Sequence, residues 1–482
     1  MAKILFFSIN DVCASGLRIL SACLKQKAHI PYIAFIQRNG YPANSVKEYS
    51  SVAKNVEEGD WIGIDDCGRE FAYAKGLGIK ESEKELIGSL INEIEPDLIG
   101  FTVTVATKKI IIDLTKFIKN NFDIPVIWGG PEPTINISDC LQYCDFVCMG
   151  ESEKAIINIA DRLDNNLNIN DLKNKELYPL ITNLDELPFK DILFDNKFLI
   201  ENDTIIRGFK ELSYNKYFYH ISTSRGCLNK CSYCCEQFYQ NLYKKQKFLR
   251  RRSPQNVIQE LKAAKKIYDF KIVHFEDEIF SVDYEWLKEF KELYKKEIDL
   301  PVNCNIFITK DIIHNLDILK EIGLKYTCLA LQSGSERINK NIFNRPFNKD
   351  LFLEIANKLK KSGIKFYVDI ITYNPFETEE DLKDTLNILL QIPKYFTICI
   401  NKLYVSKGTK LYNMINNNKD QKVLADRIFR YYSYLFWLSA YSSLLVKVLQ
   451  KFRIFKKFPG VIKILLISGS LSKKIVRKVK TI

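Results

Sequence analysis

Three cysteines carry the sharpest chemical signal in this chain. They lie in Ser224-Arg225-Gly226-Cys227-Leu228-Asn229-Lys230-Cys231-Ser232-Tyr233-Cys234-Cys235, which sets Cys227, Cys231 and Cys234 at C-x₃-C-x₂-C spacing. A cubane iron–sulfur cluster takes one thiolate per iron, so three cysteines hold it and leave one iron open to chemistry. A pure electron carrier normally brings a fourth cysteine. Structural zinc is the competing reading, and it calls for a second close ligand pair with a partner further on. Cys304 and Cys328 stand singly inside strand-like runs, as do His220 and His274. Cys235 adjoins Cys234, and adjacent side chains rarely turn to one metal, so it reads as a packing residue.

The elements around the triad are those of a barrel. Strand-like runs occur at Tyr219–Thr223, Ile272–Phe275, Val302–Ile306, Thr327–Leu331, Phe366–Thr372 and Thr397–Leu403. Helical patterns fill the gaps, notably Asn256–Tyr268, Asp311–Ile322 and Glu379–Leu390. This alternation predicts a full or partial (β/α) barrel over 217–420, with the triad just past the first strand, where barrel enzymes keep reactive groups.

A separate alternation occupies 1–165. Apolar runs at Ile4–Phe7, Ile30–Ile36, Leu98–Val103, Val126–Trp128 and Phe146–Met149 flank the helix-like segments Gly16–Gln26, Ser82–Ile94 and Lys108–Asn120. Ser82 and Glu85 have capping-box spacing, which suggests a helix start there. Continuous apolar strands between helices predict a parallel, doubly wound α/β sheet. Its ligands belong at the C-terminal strand ends. The loops Ser8–Ser15, Thr102–Thr107, Gly129–Thr134 and Gly150–Glu153 fall there. Residues 166–216 have weak periodicity and read as a linker.

Composition limits the broader class. The 482 residues are 46% hydrophobic and 27% charged, which fits two or three globular units and excludes a disordered chain. Thirteen scattered cysteines, an odd number, oppose a disulfide-stapled secreted domain. The start Met1-Ala2-Lys3-Ile4-Leu5-Phe6-Phe7-Ser8 lacks the pattern of a signal peptide, so a cytoplasmic location is expected. The net charge of +13 sits in one place: Asp426 is the last acidic residue, and 13 Lys or Arg follow it. The remaining basic residues match the 58 acidic ones.

That helical, basic extension, 421–482, contains the uncharged run Tyr431–Val446 and a second apolar run, Val461–Leu471. The first falls short of the roughly 20 residues of a spanning helix. Two readings stay open: attachment at an anionic membrane surface, as on the inner membrane, and a helix packed over the barrel. Nucleic acid is not the expected partner.

The triad, with Tyr233 as its aromatic, resembles the signature of radical S-adenosylmethionine (SAM) enzymes. Arg252-Ser253-Pro254, Phe275-Glu276-Asp277-Glu278-Ile279-Phe280, Leu331-Gln332-Ser333-Gly334-Ser335-Glu336 and Asn374-Pro375-Phe376-Glu377-Thr378 resemble further motifs of that family in order. Gln332 stands where glutamate is usual, and Phe376 replaces a glycine. The resemblance implies a [4Fe–4S] cluster on Cys227, Cys231 and Cys234 whose open iron chelates SAM. It also implies reductive cleavage to a 5′-deoxyadenosyl radical, with an electron from a flavodoxin or ferredoxin. Tyr233 is then expected near the adenine, Glu276 or Asp277 at the methionine ammonium, and Gln332 and Ser333 at the ribose or carboxylate. The alternative for the two acids is a solvated helix N-cap.

Pro96–Thr102, Trp128–Thr134 and Asp145–Glu153 resemble the cobalamin-binding domain found ahead of many such barrels, and Leu184–Pro188 resembles its junction. Thr102, Gly129, Gly130 and Gly150 are the residues this implies beside the corrin. The Asp-x-His-x-x-Gly motif is absent, and His29, the one histidine in that region, reads as a surface or turn residue. The resemblance implies methylation of an unactivated carbon of a small-molecule or lipid substrate. Radical rearrangement or cyclisation is the enzymatic alternative, and an iron–sulfur redox-sensing scaffold the other.

Overall fold

The structure, a computed structural model, describes residues 1–37, 61–64, 70–73, 79–169, 177–210, 217–403, 405–418 and 423–460. The first unit is built on strands β1 (Lys3–Ile9), β2 (Ile30–Ile36), β5 (Leu98–Thr102), β6 (Val126–Gly129), β7 (Phe146–Val147), β8 (Lys197–Glu201) and β9 (Thr204–Arg207). A small antiparallel hairpin, β3 (Trp61–Ile64) and β4 (Glu70–Tyr73), lies between β2 and β5 in the chain. The sheet order is β7-β6-β5-β1-β2-β8-β9, parallel throughout except for the β8–β9 pair. The chain therefore reverses its direction of growth between β1 and β5, the switch point at which open α/β sheets leave a crevice.

Helices Ser15–Gln26 and Glu153–Asp164 cover one face through Leu17, Leu24, Ile156 and Ile159. Glu81–Ile94 and Lys108–Asn121 cover the other through Ile87, Leu90, Ile111 and Leu114. Those side chains recur at three- to four-residue spacing, as one buried stripe of a helix requires. Two expectations change here. The second of these helices starts at Glu81, where the Lys80 N–H donates to Glu83 Oε2 at 2.9 Å. Ser82 instead donates to Asp203 Oδ1 at 2.7 Å. Part of the expected linker also joins the sheet, because β8 and β9 form its edge. Leu199 and Ile200 are buried there.

The second unit has six parallel strands in chain order: β10 (Phe218–Ile221), β13 (Ile272–Phe275), β14 (Val302–Ile306), β15 (Leu324–Gln332), β16 (Lys365–Thr372) and β17 (Thr397–Lys402). It is a partial barrel, with a short antiparallel pair, β11 (Ser224–Arg225) and β12 (Arg250–Arg251), beside its mouth. Its helices start on local signals. Ser253 accepts from the Asn256 N–H at 3.2 Å ahead of Pro254, the first residue of Pro254–Ile267. Thr378 and Asp381 form a capping box on Glu379–Gln391.

The uncharged stretch of the tail resolves into two helices, Asp426–Ser439 and Ser443–Lys451, followed by Arg453–Lys457. Phe429, Tyr432, Leu435, Phe436 and Leu438 are buried in the barrel's own core. Helix packing therefore accounts for this run. Among the described residues no helix is long and apolar enough to cross a membrane. Val461–Leu471 lies outside the described residues.

Candidate active site at the domain junction

A cavity of about 420 Å³ opens between the C-terminal strand ends of the first unit and the mouth of the barrel. Thr102, Gly129, Gly130, Gly150 and Glu151 form one wall, while Ser224, Gly226, Glu236, Glu276 and Glu278 form the other. Four residues picked from the sequence as cofactor neighbours, Thr102, Gly129, Gly130 and Gly150, thus meet at one place.

The glycines serve different ends. A Cβ on Gly129 would meet only ordinary contacts at 3.7 and 3.8 Å, so its absence widens the cavity and leaves a backbone wall. Gly150 has φ +65°, and a Cβ there would lie 1.7 Å from Tyr243 Oη. Only glycine lets that turn press against the barrel's tyrosine. Among the described residues lining the cavity none is histidine. His29 is buried rather than on the surface: its Nδ1 accepts from the Ala2 N–H at 3.3 Å, and Nε2 lies 3.0 Å from Asp161. Glycine backbone without side chains lets a large cofactor approach this wall closely.

The cysteine loop leaves β11 at Gly226, whose φ is +93° and whose Cβ would sit 2.5 Å from the Phe248 carbonyl oxygen. Gln240 Nε2 donates to the Cys227 and Asn229 carbonyls, each at 2.7 Å. Cys234 is the N-cap of helix Cys235–Leu242, but its hydrogen bond with Cys235 and then burial hold its thiol well above the usual range. Burial pushes the Cys227 thiol up to about 11, so ionising it calls for a cationic partner such as iron. Cys235 is half-buried and its thiol engages that of Cys234, which makes it more than a packing residue. Among the described residues no three Cys, His, Asp or Glu side chains converge as ligands of one metal ion. A cubane spreads its thiolates over separate irons, so its ligands stand further apart than those of a single ion.

The acidic motif divides its labour. Glu276 lines the cavity, accepting from Ser15 Oγ at 2.7 Å and lying 3.2 Å from His220 Nδ1. Burial alone would raise its carboxyl, but the His220 hydrogen bond and the nearby charge hold it down at about 2. Asp277 faces inward: Thr223 N and Oγ1 donate to it at 2.9 and 2.7 Å, and Ser224 Oγ also donates. It is thus not placed to meet a ligand ammonium in the cavity. Neither acid caps a helix; Asp283 does, accepting from the Trp286 N–H.

Gln332 ends β15 with φ +59° and donates to Asp369 Oδ2 at 2.9 Å, while its Oε1 is buried without a hydrogen-bond partner. Ser333 is wholly buried, and its hydroxyl accepts from the Ser335 N–H at 3.2 Å. Neither lines the cavity. Tyr233 packs edge-on against Phe343, ring centroids 4.8 Å apart.

Several site residues went unmarked in the sequence. Glu236 and Glu278 face the cavity; burial, then the neighbouring Glu278 carboxylate, pushes Glu236 up to about 7. Tyr239 and Tyr243, four apart on one helix face, reach the other unit. Tyr239 Oη donates to Thr134 Oγ1 at 3.3 Å, and the Glu151 N–H donates to Tyr243 Oη at 3.2 Å. Beside them, Arg250 binds both Glu151 oxygens at 2.6 and 2.9 Å, and Arg225 reaches Glu153 at 2.6 Å. The i, i+4 tyrosine pair and the place of Glu278 in the acidic motif were signals that could have been read beforehand.

Residues 221–389 match the family model described as Radical SAM superfamily, and residues 70–160 match the B12 binding domain. The chain is 24% identical to an uncharacterised methyltransferase of Pyrococcus horikoshii, over 69% of this chain and 72% of that one. It is 26% identical to a tRNA-2-methylthio-N(6)-dimethylallyladenosine synthase of a Hydrogenobaculum species, of whose length it spans 53%. Its fold resembles that of the radical SAM methyltransferase TsrM from Kitasatospora setae: TM-score 0.59 at 14% identity, covering 87% of this chain and 76% of that one. The cobalamin-dependent radical enzyme OxsB gives TM-score 0.57 at 11% identity, covering 91% and 67%. The class is therefore that of radical SAM enzymes. This chain carries a B12-binding domain ahead of a radical SAM domain, so a [4Fe–4S] cluster, SAM and cobalamin are the cofactors implied.

Proposed function

We propose that this enzyme uses SAM and cobalamin to methylate an unactivated carbon of a small molecule. The observation that carries this reading is the shared cavity, which sets the glycine wall of the B12-binding domain opposite Glu276, Glu278 and Gly226, the residue that opens the cysteine loop; the three cysteines themselves stand outside the lining. Cobalamin, when bound, supplies a transferable methyl group, and the cluster with SAM supplies a carbon-centred radical chemistry. Cys227, Cys231 and Cys234 would hold the cluster, and Thr102, Gly129, Gly130 and Gly150 would border the corrin. Glu276, ionised and fixed by Ser15 and His220, would receive the methionine ammonium, with Tyr233 and Gln332 on the SAM side. Asp277 and Ser333 would brace those positions from within.

Anaerobic reconstitution with iron and sulfide, addition of hydroxocobalamin and desalting test this reading. Near-stoichiometric retention of cobalamin, with 5′-deoxyadenosine formed on reduction with SAM, is expected. An iron–sulfur spectrum without retained cobalamin would instead favour rearrangement or cyclisation. A scaffold would form no 5′-deoxyadenosine.

A second reading concerns the surface. Leu444, Val448, Phe452, Ile454 and Phe458 are exposed on the last described helices, next to Lys447, Lys451 and Lys457. Apolar side chains on an acid-free basic segment suit peripheral contact with an anionic membrane. Full-length protein should float with anionic liposomes, and Leu444→Ser with Val448→Ser and Phe452→Ser should abolish flotation. Equal flotation of the triple variant would sink the idea.

A further inference from the structure

One cation stands directly against the cysteine loop. Arg345 Nη1 lies 3.8 Å from Cys231 Sγ, and Nη2 donates to the Ala330 carbonyl of β15 at 3.1 Å. The guanidinium is therefore held from behind by a strand while it faces the sulfur.

The segment that carries it is joined to the loop at successive points. The Ser232 N–H donates to the Phe343 carbonyl at 2.8 Å, and Ser232 Oγ to that of Ile342 at 2.5 Å. Asn344 Nδ2 donates to the Lys230 carbonyl at 2.8 Å. The Arg345 N–H itself donates to the Asn339 carbonyl at 2.8 Å, which closes the turn. Among the described residues no carboxylate forms an ion pair with Arg345. Asp369, a buried carboxyl that feels the Arg345 charge, accepts hydrogen bonds instead from Gln332 at 2.9 Å and from Asn401 Nδ2 at 2.6 Å. An arginine stays charged at every working pH, and with no carboxylate in direct contact its guanidinium faces Cys231 Sγ as a fixed cation.

We propose that Arg345 is a positioning residue that raises the reduction potential of the cluster held by Cys227, Cys231 and Cys234. Reduction adds one electron and one negative charge to the cluster, breaking no bond, while a low-potential flavodoxin- or ferredoxin-type donor loses that electron. A fixed cation at a ligand sulfur stabilises the reduced state more than the oxidised one. Arg345 thereby eases electron entry before SAM cleavage. The inference rests on the cluster assignment made above.

The test is a redox titration of the reconstituted full-length protein, followed by electron paramagnetic resonance in the absence of SAM. Omitting SAM separates this role from any grip on the substrate. Arg345→Gln should shift the midpoint to more negative potential, and Arg345→Lys should recover much of that shift. A midpoint in Arg345→Gln equal to that of the wild type overturns the proposal. Should Arg345→Gln fail to hold iron, retention by Arg345→Lys supports a role for the charge, and loss from both overturns it. Failure of the wild type to give a reduced [4Fe–4S] signal would sink the cluster assignment itself, a distinct outcome.

Discussion

At the scale of single residues, the cysteine loop concentrates the chemistry. Replacing Cys227, Cys231 and Cys234 together by alanine should abolish the iron–sulfur absorption near roughly 400 nm. Retention of that band would remove the ligand assignment. Glu276 makes a different prediction. Its carboxyl is held at about 2 against an ordinary 4.5, chiefly by His220 once the opposing burial is overcome. A depressed carboxyl stabilises the fold in full above its unfolded value and loses that contribution as pH falls through the folded one. Stability should therefore decline from about pH 4.5 toward 2, and Glu276→Gln should flatten that limb in acid unfolding followed by circular dichroism. An unchanged limb would show that the His220 and Ser15 contacts do not govern Glu276.

At the scale of elements, helix Asp426–Ser439 shows how an apolar run can be misjudged. Aromatic residues on a basic, acid-free background suggest a membrane surface, yet Phe436 and Leu435 are fully buried in the barrel core. Removing a buried phenylalanine costs both transfer energy and a cavity, about 3–5 kcal/mol. Phe436→Ala should lower stability by that order in urea unfolding, and a loss below about 1 kcal/mol would contradict the packing described. Truncation at 426 would strip away core, so surface substitutions are the sound test of membrane contact. The turn after β15 makes a related point. Asp381 accepts from Ser335 Oγ and Arg337 Nη2, each at 2.5 Å, which ties that turn to helix Glu379–Gln391. Motif residues there support the site without facing the cavity.

At the scale of the whole molecule, the two units are locked by buried charge. Arg250 is 3% exposed at its side chain and grips Glu151, with Arg225 on Glu151 and Glu153 beside it. Removing Arg250 withdraws two charge-assisted hydrogen bonds and leaves Glu151 only Arg225 as a cationic partner, a cost of up to about 3–5 kcal/mol. Arg250→Met should destabilise the chain by that order in denaturant unfolding and loosen the junction, read as a larger radius of gyration in small-angle scattering. A radius and stability equal to those of the wild type would mean that Arg225, Tyr239, Tyr243 and the Ser15–Glu276 contact hold the junction without Arg250.

Local pattern alone determined a good deal of this protein. Cysteine spacing marked a candidate cluster loop, apolar periodicity marked most strands of both units, and Gly129, Gly130 and Gly150, weighted by the resemblance, marked residues that line the cavity. These signals are legible because each arises within one turn, one strand or one short loop. Tertiary structure decided the rest. It assigned β8 and β9 to the first sheet, buried Asp277 and Ser333, and brought Glu236, Glu278, Tyr239 and Arg345 to the site. Arg345 is 114 residues from Cys231 in sequence, and no local rule relates the two. A side chain's role there depends on which strands become neighbours, and that follows from burying the barrel sheet's apolar face beneath its own helices.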